Sequence, residues 1–171
     1  TGIHHTDGLA DFADGLMVKG TKEKKLAAMK DISTGSAGIV TIVLYIVGLI
    51  IVISQSTGYQ LFLSILLSEI LAKFSMVLMA SIGKSATLGS NSPFVELMKN
   101  KKKLVLASVI TLIPMIVLGG QTGLLVFGVG VTLTIFLVIL TAKSFGGITG
   151  DVFGATNELT RLASLLIFVS V

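Results

Sequence analysis

Long apolar runs broken by short polar turns set the pattern of this chain. The apolar runs fall at about 37–54, 59–81, 104–119, 123–141 and 158–171. Most approach or exceed the roughly 18–20 residues that cross a bilayer as a helix. They are continuous rather than alternating, so they predict helices and not barrel strands. Ahead of them lie two shorter amphipathic stretches. Residues 6–19 read as a helix with Thr6 as N-cap, Asp7 in the first turn and Gly20 as the stop. Leu9, Phe12, Ala13 and Leu16 form its apolar side. Thr21 caps a second helix over 22–33, with Leu26, Met29 and Ile32 on one face and lysines elsewhere. Pro114 predicts a kink in the third long run.

Composition agrees with that pattern. Of 171 residues, 53% are hydrophobic and 13% charged, where a soluble domain carries nearer a quarter charged. Mean hydropathy is +0.95. The expectation is one all-α integral membrane domain over 1–171, a polytopic transmembrane helix bundle with short amphipathic helices at the cytoplasmic face. The chain opens at Thr1, without Met and directly on an acidic motif, which reads as a fragment lacking native N-terminal sequence. There is no cysteine, which removes thiolate chemistry and Cys-type zinc sites.

Charge is distributed unevenly. Lys19, Lys22, Lys24, Lys25 and Lys30 precede the first long run. Lys84, Lys99, Lys101, Lys102 and Lys103 fall in the polar loop 82–103, and Lys143 follows the fourth run. The turns at 54–58 and 119–123 hold no charge. By the positive-inside rule the basic side is cytoplasmic. The acids follow the same split, so the polar inventory of three connections converges on one membrane face. An active site at a membrane surface needs that convergence; a channel spreads polar groups along its length.

The candidate chemistry begins with Asp7, Asp11 and Asp14, at i, i+4 and i+7. At ~100° per residue, Asp11 lies roughly 40° from Asp7 and Asp14 about 20° from it, so all three share one helical stripe. Like charges that close call for something positive between them. A solvated acidic surface is the plain alternative. Asp31 is a fourth carboxylate. Oxygen-only donors suit a hard ion, Mg²⁺ or Mn²⁺, and such ions with nearby lysines suit a phosphate or diphosphate substrate. The small residues Gly35 and Gly38 open the first long run, either to leave backbone N–H groups free for an anion or to pack helices closely. Glu69 and Lys73 sit four apart inside the second run, either as functional groups or as a structural ion pair. Asp151, Ala155 and Glu158 repeat the i, i+4, i+7 spacing, although Glu158 can simply pair with Arg161. His4 and His5 border the first stripe, where a hydrogen-bonding bystander is the plain reading.

The run His5-Thr6-Asp7-Gly8-Leu9-Ala10-Asp11-Phe12-Ala13-Asp14-Gly15-Leu16 comes first. Met29-Lys30-Asp31-Ile32-Ser33-Thr34-Gly35-Ser36-Ala37-Gly38 follows, and much later Gly146-Gly147-Ile148-Thr149-Gly150-Asp151-Val152-Phe153-Gly154-Ala155-Thr156-Asn157-Glu158. Together they resemble the cobalamin synthase family, also called adenosylcobinamide-GDP ribazoletransferase, over nearly the whole chain. The resemblance implies a Mg²⁺-dependent enzyme of the cytoplasmic membrane. It joins a GDP-activated corrinoid to α-ribazole or its 5′-phosphate and releases GMP. It implies Asp7, Asp11, Asp14 and Asp31 as the metal and diphosphate site, with Asp14, Asp31 and Asp151 in catalytic positions. It implies His5, Lys73, Lys84, Gly147, Asp151, Asn157 and Glu158 in substrate binding. Lys73 stands where members often carry Arg, so a phosphate contact there keeps its charge but loses the bidentate fork. The implied partners are the two substrates and the lipid bilayer, with a homo-oligomer left open and no nucleic acid. Asp11-Phe12-Ala13-Asp14-Gly15 also resembles the start of the CDP-alcohol phosphotransferase motif, but Ala28, Ile32 and Ser36 stand where that motif needs Gly, Asp and Asp. A cation transporter is the third reading, and it needs acids deep in several runs, where only Glu69 lies.

Overall fold

The computed structural model describes residues 3–86 and 92–171. Gly89, part of the expected polar loop, lies outside the described residues. The chain forms α1 (Ile3–Met17), α2 (Lys22–Ala28), α3 (Ser36–Gln55), α4 (Gly58–Ile82), α5 (Ser92–Met98), α6 (Lys101–Phe145) and α7 (Gly150–Ser170). Among the described residues the one non-helical pairing is a parallel bridge between Ser85 and Ile148. The architecture is an all-α bundle. Among the described residues four helices, α3, α4, α6 and α7, are long and apolar enough to cross a membrane.

At about 1.5 Å per residue, the 45 residues of α6 exceed twice the thickness of a hydrocarbon core. It does not run straight. Gly120 has φ 57° and ψ −136°, which breaks the helix into arms 101–119 and 121–145. The arms fold back on each other. Leu104 of the first and Phe127 and Val131 of the second pack into one cluster with Phe74 and Leu78 of α4. A Cβ on Gly123 would lie 2.0 Å from the carbonyl oxygen of Met115, so the reversal is tight. Pro114 was expected to kink this run, yet the break is at Gly120. Only glycine adopts that backbone conformation at little cost.

Three other boundaries differ from the sequence pattern. α1 starts at Ile3, so Thr6 lies inside it and is no N-cap, and no acid occupies its first turn. The second helix ends at Ala28 rather than continuing to 33; Thr21 does cap it, accepting from Lys24 N at 3.5 Å. α7 begins at Gly150, not near 158, because the Thr149 hydroxyl caps it by accepting from Val152 N at 3.3 Å. The late motif from Gly150 to Glu158 therefore lies on the first turns of a helix, with Gly146 to Thr149 leading into it.

α7 is the hub. Val152 through Glu158 are all buried, and α1, α3, α4 and α6 all pack on it. At the basic end, Leu9 and Phe12 of α1 join Phe145, Ile148, Val152 and Phe153 in one core. Phe12 meets Phe145 at 5.9 Å and Phe94 meets Phe153 edge-on at 5.5 Å, favourable ring geometries. Much of α3, including Ile39, Val40, Val43, Leu44, Ile50 and Ile53, is exposed. A lipid-facing helix leaves such side chains outward.

Gly120→Ala is expected to destabilise the fold by about 1–3 kcal/mol, since alanine must adopt a glycine-only conformation. Denaturant unfolding in detergent reads this loss; an unchanged midpoint would show that the hairpin does not depend on Gly120.

Candidate active site

Two glycines let α1 and α7 touch backbone to backbone. A Cβ on Gly8 would meet Asp151 Cα and carbonyl oxygen at 2.9 Å, and one on Gly154 would meet the His5 carbonyl oxygen at 2.9 Å. Residue 8 opposes 151 and residue 5 opposes 154, so the two helices run in opposite directions. This contact carries the acids of α1 to the start of α7. The carboxyl of Asp11 is pushed up to about 6, first by burial and then by the charges of Asp7, Asp151 and Asp14. Four carboxylates from two distant segments thus share one mouth.

Asp14 has a second task there. Its carboxylate accepts from Gly35 N at 2.7 Å and Gly38 N at 2.8 Å. Gly35 is the N-cap residue of α3 and has no side chain to do this, so Asp14 caps the helix from 21 residues away. The helix start expected to lie open for an anion is filled by the protein's own carboxylate. The two expectations for Gly35 and Gly38 merge, because a Cβ on either would fall within 2.6 Å of an Asp14 oxygen. Asp31 lies beyond the end of α2 and is exposed. It accepts from Ser33 N at 2.9 Å and Ser33 Oγ at 2.6 Å, bonds that hold its carboxyl below the usual range. Among the described residues no three His, Asp or Glu side chains converge closely enough to hold a metal ion. The acids ring the mouth without meeting at a point.

Lys84 and Gly147 are brought to the same end by the bridge. Ile148 N donates to Lys84 O at 2.8 Å and Ala86 N to Ile148 O at 2.9 Å. A Cβ on Gly147 would lie 2.5 Å from Lys84 O. Gly147 therefore serves the crossing of two chain segments, and its part in substrate binding finds no direct support in that geometry.

Below the mouth lies a second polar cluster, spread over α1, α3, α4 and α7. Arg161 pairs with Glu158 on its own helix and with Glu69 of α4, its Nε 2.6 Å from Glu69 Oε1. Tyr45 of α3 donates to Glu158. Arg161 also donates to the Tyr45 hydroxyl oxygen at 3.0 Å. Asn157 Nδ2 donates to Glu158 Oε1 at 3.1 Å, and Lys73 Nζ donates to Asn157 Oδ1 at 2.8 Å. His5 Nδ1 lies 3.8 Å from Glu158 Oε1. Burial, followed by the charge of Lys73, pulls His5 below its ordinary value, which keeps the ring neutral at pH 7. Glu158 and Asn157 are fully buried, with polar atoms committed to neighbours. Lys73 is exposed. Glu69 and Lys73 do not pair with each other, as their spacing allowed; each bonds across to α7.

Comparison with known proteins places the chain. A family model described as cobalamin-5-phosphate synthase matches residues 1–169. The chain belongs to that family. A relative from Pyrococcus abyssi named adenosylcobinamide-GDP ribazoletransferase is 36% identical over 169 residues, 97% of this chain and 70% of that protein. Relatives of the same name from Methanocella arvoryzae and Archaeoglobus fulgidus are 35% and 36% identical, each over 96% of this chain and 68% of their own length. No solved structure matches. The family is one of transferases, so the acidic mouth is the candidate site of an enzyme.

Within this cobalamin-5-phosphate synthase family member, the spacing of acids on α1 and α7 marked both halves of the mouth. Tyr45 was missed, being a lone aromatic in an apolar run with no local signal of its partner. Arg161 was read as a neighbour of Glu158 alone, because nothing in the sequence shows Glu69 facing it.

Two outcomes follow from this geometry. Asp14→Ala should cost about 1–2 kcal/mol and speed hydrogen exchange at the Gly35 and Gly38 amides; unchanged exchange there would remove the capping role. For Asp11, a folded pKa above the unfolded one means that stability falls as pH rises from about 4 to about 6. Asp11→Asn abolishes that cost. With chelator present at pH 7, it should melt higher by roughly 2–4 °C, an effect on the order of 1 kcal/mol after solvent screening. The gap should close as pH falls toward 4, and a gap constant with pH would count against the shared mouth.

Proposed function

We propose that the chain transfers the corrinoid phosphoryl group from adenosylcobinamide-GDP to α-ribazole or α-ribazole 5′-phosphate and releases GMP, a late step of cobalamin biosynthesis. The observation that carries this reading is the mouth ringed by Asp7, Asp11 and Asp14 of α1 and Asp151 of α7, in a chain whose relatives bear the ribazoletransferase name. The side of the membrane that holds this mouth is the cytoplasmic one, since lysines gather at its connections. On this reading the two arms of α6 cross separately, making five crossings of the cell membrane.

An all-oxygen donor set, whose mutual repulsion adds to burial in raising Asp11 to about 6, fits a hard divalent cation, Mg²⁺ or Mn²⁺. A cation there would have to draw in Asp7, Asp11 and Asp151, whose carboxylates ring the mouth without converging on one point, with Asp14 at its edge and Asp31 on the exposed segment beside α3. When bound, the cation neutralises diphosphate oxygens and the charge that develops as the phosphorus is attacked. The chain does the rest. The acceptor hydroxyl oxygen bonds to the phosphorus that carries the corrinoid, and the bond from that phosphorus to GMP breaks. The hydroxyl proton passes to a mouth carboxylate. Asp151, half-buried beside Asp11, is the least tightly held of Asp14, Asp31 and Asp151: its carboxylate accepts from the Thr149 hydroxyl at 3.4 Å. Lys73 supplies a cation for the anionic part of a substrate, and Lys84 another at the rim. His5 stays neutral and hydrogen-bonds without adding charge.

The test is direct. Detergent-solubilised protein with Mg²⁺, adenosylcobinamide-GDP and α-ribazole should release GMP and form the joined product, read by chromatography. Asp11→Asn should cut that rate by at least about 100-fold, the scale expected when charge stabilisation of a transition state is lost, while remaining monodisperse. Full activity in this variant, or CMP release from a CDP-alcohol in place of GMP release, would overturn the proposal.

A further inference from the structure

The cluster beneath the mouth holds two carboxylates, Glu69 and Glu158, and two cations, Arg161 and Lys73. The partition of charge between them is lopsided. Arg161 takes both carboxylates. Lys73 takes neither, and its ammonium rests on the neutral amide oxygen of Asn157. Yet both carboxylates are close at hand. Glu69 precedes Lys73 by one helical turn on α4, the spacing at which the two side chains can meet. Glu158 bonds the same Asn157 side chain that holds Lys73. Arg161 is buried, Glu158 fully so, while Lys73 is exposed. An unclaimed carboxylate beside a lysine attracts it, and the pull is strongest from the fully buried Glu158, since an unpaired buried charge is costly.

We infer that Arg161 is a positioning residue that keeps Lys73 unneutralised. By claiming Glu69 and Glu158 at once, its guanidinium holds both acids off the lysine and leaves the Lys73 charge available to an anionic ligand. The planar fork suits this task, because it reaches two carboxylates from different helices with separate nitrogens. Asn157 then fixes the lysine by a bond that cannot cancel its charge. Tyr45 adds a further donor to Glu158 and anchors the arrangement to α3. Arg161 touches no ligand on this account; it acts through the two acids. The anion-binding role of Lys73 rests on the functional reading above, but its insulation by Arg161 does not.

The experiment separates the two. Lys73 in detergent-solubilised protein is labelled with an N-hydroxysuccinimidyl ester and the modified peptide is quantified by mass spectrometry. Binding of GDP in the presence of Mg²⁺ is measured in parallel by calorimetry. Arg161→Gln frees both carboxylates. Lys73 labelling should slow about tenfold, as a paired ammonium loses its proton less readily, and GDP affinity should fall about tenfold, the worth of one ion pair of ordinary strength. The triple variant Glu69→Gln, Glu158→Gln, Arg161→Gln leaves Lys73 without a carboxylate. Lys73 labelling should return to within about threefold of the starting protein. Arg161→Lys keeps a cation in place and should lose less than Arg161→Gln. Unslowed labelling in a monodisperse Arg161→Gln protein overturns the inference, as does a triple variant that labels as slowly as the single one. If Arg161→Gln fails to fold, Arg161→Lys and the triple variant decide: slowed Lys73 labelling in the triple contradicts the inference, and native-like labelling there with a partial slowing in Arg161→Lys supports it. Labelling that behaves as expected in a protein that never binds GDP would leave Arg161 its role and tell against the functional reading instead.

Discussion

The approach of α1 to α7 at Gly8 and Gly154 is the contact on which the rest depends. Neither helix can lie so close with a side chain at these positions, since a Cβ at either would fall 2.9 Å from the opposing backbone. Closeness has an electrostatic consequence. It brings the carboxylates of Asp7 and Asp11 beside that of Asp151, although more than 130 residues separate them in the chain. Asp11 registers both effects: burial first, and then the charges of its neighbours, raise its carboxyl to about 6. A fold that gathers like charges, with Lys30 offsetting only part of the repulsion at Asp151, gives up stability to do so, a pattern common at functional sites. The family membership of the chain and the name of its relatives give that ligand a chemical class.

Immediately below, the same helices solve the opposite problem. Ionisable groups inside a helix bundle are costly unless paired. Here Glu69, Glu158, Arg161 and Lys73 balance, Tyr45 and Asn157 hydrogen-bond Glu158, and the neutral His5 ring lies beside it at 3.8 Å. The cluster binds α1, α3, α4 and α7 at a single level. It fixes the helix that presents Asp151 relative to the helix that presents Asp7 and Asp11. The mouth is therefore supported from beneath by polar contacts and from the side by Phe12, Phe145 and Phe153.

Much of this was legible in the sequence, and the parts that were not share a cause. Length and continuity of the apolar runs gave the all-α membrane bundle, because only satisfied backbones survive in lipid. The i, i+4, i+7 acids gave one face of α1, because helical geometry is local. Local rules failed where a distant group intervened. Asp14 belonged by spacing to the stripe, but two backbone N–H groups 21 and 24 residues later draw its carboxylate to α3. Glu158 and Arg161 were correctly neighbours at i, i+3, yet Glu69 and Tyr45 complete their arrangement from other helices. Pro114 looked like the point of weakness in its run, but a proline is tolerated where the helix can accommodate it, and the reversal needed the backbone freedom of Gly120. The start of α7 was placed eight residues late, because a polar motif was read as a loop. Its capping threonine was the available signal.

The central claim is that acids from α1 and α7 form one cation site rather than two solvated surfaces. Titration of the detergent-solubilised protein with Mn²⁺, followed by electron paramagnetic resonance, tests it most directly. The account predicts bound Mn²⁺ at pH 7 and a comparable loss of affinity in Asp11→Asn and Asp151→Asn, since each removes a donor from the same ion. A protein that binds no Mn²⁺, or an Asp151→Asn variant that binds it as tightly as the unaltered chain, would contradict the account.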